Sequence, residues 1–338
     1  MKNLICLGIE STAHTFGIGI VNSKKNILAD QRANYTTEKG GIIPSEAANH
    51  HRELKEEIIK KALEEAKLKM KDIDFIAFSQ GPGLPPSLLV GKDFAKELAI
   101  KYNKPLVGVN HLAGHLEEGK FFTKAKDPVY IFVSGANTQI IAHEGNKFRI
   151  FGEALSVGLG NALDKFGREI GLGFPAGPKI EVLAKKGKYI DLPYNVKGMD
   201  VEFSGIVTHC INLYKKGVPV EDLCYSLQEV GFAMLIEVTE RALVHTEKNE
   251  ALLIGGVSAN QRFVEMLNIM CRERKAKAYS CPLNYSMDNG VQIAIAGLLQ
   301  HKYNYNVFNG NNIKEVDIMP GWRIDEIDTP WIKKSEIL

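Results

Sequence analysis

His111 and His115, four residues apart in PLVGVNHLAGHLEEGK, are the residues whose types and spacing point most directly to chemistry. On a helix, positions i and i+4 share a face, so both imidazoles can turn toward one ion. Asn110 is suited to cap such a helix at His111. Leu112 stands where a zinc peptidase of the HExxH kind needs its Glu general base, which disfavours that chemistry. Two imidazoles make an incomplete metal site, and a carboxylate or tyrosinate must come from elsewhere. Asp288, in SMDNG ahead of the apolar run VQIAIAGLL, is a candidate. The competing reading is a pair of surface or capping histidines, and spacing alone does not choose between them.

Three glycine-rich turns form the second group of candidates. GGVSAN (Gly255 to Asn260) follows an apolar strand and precedes a helix, a junction whose backbone N–H groups attract phosphate. SGAN (Ser134 to Asn137) lies in a hairpin turn where small residues let a ligand reach the backbone. GLGFPAGPKIE carries Glu181, which could accept ribose hydroxyls. None is a P-loop and none is a convincing GxGxxG after the first strand. Each alone reads as a plain turn; together, in an α/β chain, they point to a nucleotide at the carboxyl ends of the strands.

The elements that must position these residues follow from the apolar pattern. Leu4–Ile9, a polar turn and Phe16–Val21 read as a strand, a tight turn and a returning strand. The pattern recurs as Val129–Val133, the turn at Ser134–Asn137, and Gln139–Ala142, which suggests an internal duplication. HRELKEEIIKKALEEAKLKM has helical spacing, with its lysines on a solvated face. DFIAFSQ, LLVGKDFAKELAIKY and Leu106–Val109 then alternate strand, helix and strand, and EALLIGGVSANQRFVEML is strand, turn and helix. An α/β fold with mainly parallel pairing after each hairpin is expected. The boundary between two lobes is placed near Leu116–Asp127. The first lobe is residues 1–120 completed by 290–338, the second is 128–290, and the polar segment Tyr303–Leu338 is read as a packed tail.

Bulk composition is ordinary for a globular chain of 338 residues, with 45% hydrophobic and 24% charged residues. The net charge of +2 neither demands nor excludes a polyanionic partner. Cys6, Cys210, Cys224, Cys271 and Cys281 are odd in number and show no CxxC spacing, which argues against a disulfide framework or a cysteine zinc site. No apolar stretch approaches a membrane span, so a cytoplasmic protein without membrane attachment is expected.

Several segments in order carry a family resemblance: GIESTAHTFGIGI, GGIIPSEAANHH, GPGLPPSLLVG, NHLAGHLEEG, VSGANTQ, GNALDKFGREIGLGFPAGPKIE, LPYNVKGMDVEFSG, LIGGVSAN, MDNGVQIAIAG and PGWRIDEID. The chain resembles the universal tRNA threonylcarbamoyladenosine transferase family, formerly called O-sialoglycoprotein endopeptidases, on the archaeal and eukaryotic side whose members act in the KEOPS complex. The resemblance implies a duplicated actin-like, Hsp70-like fold with two lobes and a nucleotide cleft between them. It implies transfer of a threonylcarbamoyl group from threonylcarbamoyl-AMP to N6 of the adenosine next to the anticodon in tRNAs reading ANN codons. It also implies one divalent metal ion on His111, His115 and Asp288, iron in the first place and zinc as the alternative. An adenine nucleotide, threonylcarbamoyl-AMP or ATP, would be held by Phe132, Val133, Ser134, Gly135, Ala136, Asp164, Gly177, Glu181, Asn260 and Asp288. The turn Glu10–His14 would face the phosphate end, and no residue is named as general base. The implied partners are tRNA, a small kinase-like ATPase subunit and other KEOPS-type subunits.

The chain departs from the family pattern at several places. The Tyr that ligates the metal is Phe132, the second glycine of SGGN is Ala136, and a usual Asp is Ser156. A usual Arg or Lys is Ser45, and a usual Arg is Leu89. Tyr130 is on the same strand face as Phe132 but about one pleat away. The alternative to an active transferase is therefore a weakened, nucleotide-binding scaffold subunit of a KEOPS-like complex.

Overall fold

The protein is described by a computed structural model covering residues 3–37 and 41–332. The terminal part of the expected tail, residues 333–338, lies outside the described residues. The chain divides into two compact units, one of Met1–Thr36, Ile42–Glu118 and Asp288–Leu338, the other of Thr37–Gly41 and Gly119–Met287. Asp288 and Asn289 fall in the first unit, with the histidines. The cause is local, because Asn289 caps the helix that packs on the first sheet.

The first unit opens with strands β1 (Ile5–Glu10), β2 (Thr15–Asn22) and β3 (Ile27–Asn34), followed by helix α1 (Pro44–Ala66). Strand β4 (Phe75–Gly81), helix α2 (Pro85–Lys101), strand β5 (Leu106–Asn110) and helix α3 (His111–Phe122) come next. The second unit holds β6 (Val129–Val133), β7 (Thr138–Glu144), β8 (Lys147–Glu153), α4 (Leu159–Glu169) and α5 (Gly177–Ala184). It continues with β9 (Val196–Lys197), β10 (Asp200–Val201), α6 (Ser204–Lys215), α7 (Val220–His245), β11 (Glu250–Ile254), α8 (Gln261–Glu273), β12 (Lys277–Ser280) and α9 (Leu283–Ser286). Helix α10 (Gly290–Lys302) and strand β13 (Val307–Phe308) belong to the first unit.

Among the described residues the first sheet runs β13-β5-β4-β1-β2-β3 and the second β12-β11-β6-β7-β8. Apart from the edge strand β13, the two orders are the same: three antiparallel strands joined by hairpins, then two strands added in parallel. The duplication suggested by the two opening hairpins is thus a duplication of topology. Strands β3 and β8 were not anticipated from the sequence. ILADQRAN and KFRIFGE are half-buried edge strands with charges in them, and their pairing is set by the hairpin partner rather than by an apolar run. The tail after α10 is less irregular than expected, since Val307 and Phe308 pair antiparallel with Val107 and Leu106 on β5.

Alternation along β1 and β2 decides what each face does. Leu7, Ile9, Phe16, Ile18 and Ile20 enter a core with Ile58, Ile59 and Ala62 of α1 and Phe94, Ala95 and Leu98 of α2. The residues of opposite parity include Gly8, Gly17 and Gly19, and this face is covered by α10. A Cβ on Gly19 would lie 2.2 Å from the Val291 nitrogen, one on Gly8 2.3 Å from the Gly290 carbonyl oxygen, and one on Gly290 2.1 Å from the Gly19 nitrogen. Backbone meets backbone here, so neither side can yield. Gly19→Ala is expected to lower the stability of the first unit by about 1–3 kcal/mol, the usual range for overpacking. Denaturant unfolding of the variant against wild type measures this.

Candidate functional site

The chain passes from β5 straight into α3, and Asn110 makes the junction. Its Oδ1 accepts from the backbone N–H groups of Leu112 and Ala113 at 3.0 and 3.2 Å, and its amide donates to the Trp322 carbonyl at 3.1 Å. His111 and His115 then present their rings on one face, centroids 4.7 Å apart and nearly perpendicular. Asp288 arrives from the other side, just ahead of α10, whose first turn is capped by the Asn289 side chain accepting from Gln292 N–H at 2.8 Å. Asp288 Oδ1 lies 3.4 Å from His111 Nε2 and 3.2 Å from His115 Nε2.

One donor atom from each of these three residues lies within 4.8 Å of the other two. In a metal shell with bonds of about 2.0–2.2 Å, neighbouring donors stand about 3–3.5 Å apart, which the two nitrogen–oxygen separations match. Two imidazoles and one carboxylate suit iron or zinc alike. The residues present therefore fit a divalent cation.

Glu10 is a fourth member that the sequence reading placed elsewhere. Its parity on β1 puts it on the glycine face with α10, away from the aliphatic core, and it is fully buried. His111 Nδ1 lies 2.9 Å from Glu10 Oε2, and the other oxygen accepts from the Thr12 backbone N–H at 2.6 Å and from the Thr12 hydroxyl. Glu10 is thus turned to the imidazole. A carboxylate at the end of an apolar strand, two residues ahead of a Thr, was the signal available in GIEST.

Electrostatics follow from this packing. Burial would push the His111 imidazolium down, but Glu10 and Asp288 on its two nitrogens outweigh it and hold it up to about 10. Burial and the neighbouring His111 push His115 down. Burial works against the Asp288 carboxylate, yet the two imidazoles hold it well below the usual range. Glu118, one turn beyond His115 and buried, is pushed up by desolvation, with Asn289 donating to Oε2 at 3.1 Å. Glu117 accepts from Trp331 Nε1 at 2.8 Å.

In the second unit, two of the turns expected to face a nucleotide, SGAN and GGVSAN, follow the carboxyl ends of β6 and β11, parallel neighbours that pair Phe132 with Ile254, while GLGFPAGPKIE lies between α4 and α5. Packing explains one of their glycines, Gly255, and the two at the adjoining start of α4. A Cβ on Gly160 would meet the Ser134 carbonyl oxygen at 2.5 Å and one on Gly158 the Ala136 oxygen at 2.4 Å. Gly255 has φ +92° and no room for a Cβ beside Val133. The first N–H groups of α4 are also occupied, since Leu159 donates to Thr138 Oγ1 and Asn161 to the Gly135 carbonyl, at 2.9 and 2.8 Å. Asp164 accepts from Ala176 N–H at 2.7 Å, and burial, opposed by that bond, pushes its carboxyl up. Glu181 accepts from Gln261 N–H at 2.9 Å, and Asn260 caps α8 through Arg262 and Phe263 N–H while donating to Gln228 at 2.7 Å. Asp164, Gly177, Glu181 and Asn260 are thereby linked through α5 and the start of α8. No Cβ contact would arise at Gly177 or Gly256, whose backbones are sterically open.

Phe132 is buried between Gln139 and Ile254, and Tyr130 is buried with its ring edge-on to Phe148, centroids 5.9 Å apart. The charge missing at Ser156 has a neighbouring substitute. The Ser156 hydroxyl donates to the Glu202 carboxylate, which also accepts from Ser204 N–H at 2.9 Å. Ser45 and Leu89 are both exposed, the latter at 38%.

Solved structures with the same architecture include HypF of T. kodakarensis, with TM-score 0.59, 15% identity, and 89% of this chain and 48% of that one covered. Full-length HypF in the phosphate- and nucleotide-bound form gives TM-score 0.63 at 12% identity, covering 89% and 47%. At such identities the likeness speaks of fold alone, and it defines an α/β protein of the duplicated actin-like class. The family of tRNA N6-adenosine threonylcarbamoyltransferases matches residues 26–295. The tRNA N6-adenosine threonylcarbamoyltransferase of Thermococcus sibiricus is 54% identical over 97% of this chain and 100% of its own length. A probable bifunctional tRNA threonylcarbamoyladenosine biosynthesis protein of Methanobrevibacter smithii is 51% identical over 98% of this chain, which spans 61% of that longer protein. The chain belongs to the tRNA N6-adenosine threonylcarbamoyltransferase family and is an acyltransferase of tRNA modification. No helix among the described residues is long and apolar enough to cross a membrane.

A metal ion would have to displace the proton that His111 Nε2 shares with Asp288. With that imidazolium held up to about 10, binding near neutrality releases about one proton. Affinity for Zn2+ is therefore expected to rise about tenfold per pH unit between pH 6.5 and 8.5, as measured by chelator competition. A flat profile would show that His111 is already neutral.

Proposed function

We propose that this chain transfers the threonylcarbamoyl group of threonylcarbamoyl-AMP to N6 of the adenosine adjacent to the anticodon in tRNAs that read codons starting with A. The observation that carries the proposal is the cluster of buried His111 and His115 with half-buried Asp288 in a chain of this family. The new bond joins N6 to the carbonyl carbon, the anhydride C–O bond breaks, AMP leaves and one N6 proton is lost. Neither partner is reactive enough unaided: the amine is a weak nucleophile, and the leaving phosphate develops charge.

His111, His115 and Asp288 would hold a divalent cation, iron or zinc, which supplies Lewis-acid polarisation of the acyl carbonyl or stabilisation of the AMP leaving group. Phe132–Ala136, Asp164, Gly177, Glu181 and Asn260 are assigned to the adenylate. Their support is that two of the three turns, SGAN and GGVSAN, follow the carboxyl ends of neighbouring parallel strands, the usual location of ligands in α/β proteins. Glu181 reaches that edge through Gln261, and the open backbone of Gly177 lets a ligand approach closely. With no tyrosinate at position 132, the metal shell would be completed by phosphate or water.

Partners are part of the proposal. A net charge of +2 gives the chain little general attraction for RNA, so most of the tRNA grip would come from an assembly. The longer bifunctional relatives, of which this chain spans about three-fifths, support a second protein working beside it, here a small kinase-like ATPase subunit of a KEOPS-type complex in the cytoplasm.

A second reading has one observation in its favour, the Phe132 side chain where the family resemblance calls for a tyrosine ligand. In it the chain binds nucleotide and partners as a scaffold. Reconstitution with threonylcarbamoyl-AMP, tRNA and the partner subunits separates the two, with modified nucleoside read by mass spectrometry. The transferase yields product, and His111→Ala lowers the rate by about a hundredfold, the several kcal/mol that metal polarisation supplies. No product from either protein, with nucleotide still bound, supports the scaffold.

A further inference from the structure

The Glu10 carboxylate has no part in the roles assigned above, yet it makes the closest contact to a proposed metal ligand. We infer that Glu10 is a positioning residue that fixes the tautomer of His111, so that Nε2 and not Nδ1 faces the cation, and that ties this ligand to the first hairpin turn through Thr12. The inference rests on the metal reading of His111, His115 and Asp288.

The argument is one of hydrogen-bond accounting. A neutral imidazole carries one N–H, and the nitrogen without it is the metal donor. His111 Nε2 is the atom that faces Asp288, at 3.4 Å, so with a cation bound there in place of the shared proton the remaining N–H must reside on Nδ1. Around Nδ1 stand Glu10 Oε2 at 2.9 Å, Gln292 Nε2 at 3.1 Å and the Thr12 hydroxyl at 3.4 Å. Of these, the Gln292 amide nitrogen can only donate, and the Thr12 hydroxyl already donates to Glu10 Oε1. A donated N–H from Gln292 would stabilise the wrong tautomer, with the proton on Nε2 and the metal position blocked. The Glu10 carboxylate oxygen accepts, so Glu10 decides the competition in favour of Nδ1–H.

The carboxylate is itself held in place. It is fully buried, its parity on β1 directs it to the α10 face, and Thr12 occupies Oε1 with both its backbone N–H and its hydroxyl. A ligand that moved the turn Ser11–His14 would therefore shift the carboxylate on which His111 rests. Metal affinity and occupancy of that turn would be linked, each changing the other by the same factor.

Glu10→Gln keeps the shape and removes the restriction to accepting. The test is Zn2+ affinity of the full-length chain by chelator competition, with His115→Ala as a control for the site and circular dichroism for the fold. Loss of 10–100-fold in affinity by a folded Glu10→Gln protein is expected, the range seen when the partner of a ligating histidine is removed. Equal affinities of wild type and Glu10→Gln, with His115→Ala impaired, would overturn the inference and leave the metal reading standing. If wild type and His115→Ala bind alike, the metal reading fails and this inference with it. Should Glu10→Gln not fold, long-range 1H–15N correlation spectra of zinc-loaded wild type decide. A protonated Nδ1 on His111 supports the role, and metal on Nδ1 refutes it.

Discussion

The buried charge around His111 is the constraint on which the first unit depends. Moving a carboxylate out of water costs several kcal/mol per ion unless partners compensate it. Glu10 and Asp288 share one imidazole, and each takes one of its nitrogens. A divalent ion in place of the proton between His111 and Asp288 would bring added positive charge beside these carboxylates, which favours it quite apart from the fit of the donor distances.

Such a cluster needs rigid support, and the supports come from distant stretches of chain. Helix α10 lies directly on β1 and β2, because Gly8, Gly19 and Gly290 leave no side chain between the backbones. That contact places Asp288 and Asn289 at the end of β1, beside Glu10. Helix α3 is held from behind by the segment after α10, through the Trp322 carbonyl on Asn110 and the Trp331 indole on Glu117. The tail is thus part of the site's scaffold. Gln80 reinforces it, donating to the Asp317 carbonyl at 2.7 Å and accepting from Asn306 at 2.8 Å.

What was legible in the sequence follows the same physics. Runs buried on both faces, such as Phe75–Gly81 and Val129–Val133, declare themselves because burial demands an unbroken apolar string. Edge strands do not, and ILADQRAN and KFRIFGE read as loops until a hairpin partner is known. The histidine pair was visible through helical spacing, and Asp288 through its position before an apolar helix. Glu10 was visible as a residue but not in its role. Which face a strand residue occupies depends on what packs there, and only the glycine contact with α10 reveals that. The lost charge at Ser156 is a similar case, since the carboxylate of Glu202, far along the chain, restores it in space.

The duplicated topology shows how one scaffold was put to two uses. Both units begin with a hairpin whose first strand ends at a turn of small polar residues. In the first unit that strand ends in Glu10, so the turn is bound through a charged side chain to a helix-borne imidazole. In the second, Val133 stands at the end of the strand, and the turn is bound through its backbone, Ser134 and Gly135 carbonyls accepting from Gly160 and Asn161. A charged side chain can be exchanged for another partner when an ion arrives. A backbone contact such as Ser134–Gly160 or Gly135–Asn161 offers no such exchange. The first hairpin turn is accordingly held by an exchangeable side-chain contact, and the second by its backbone.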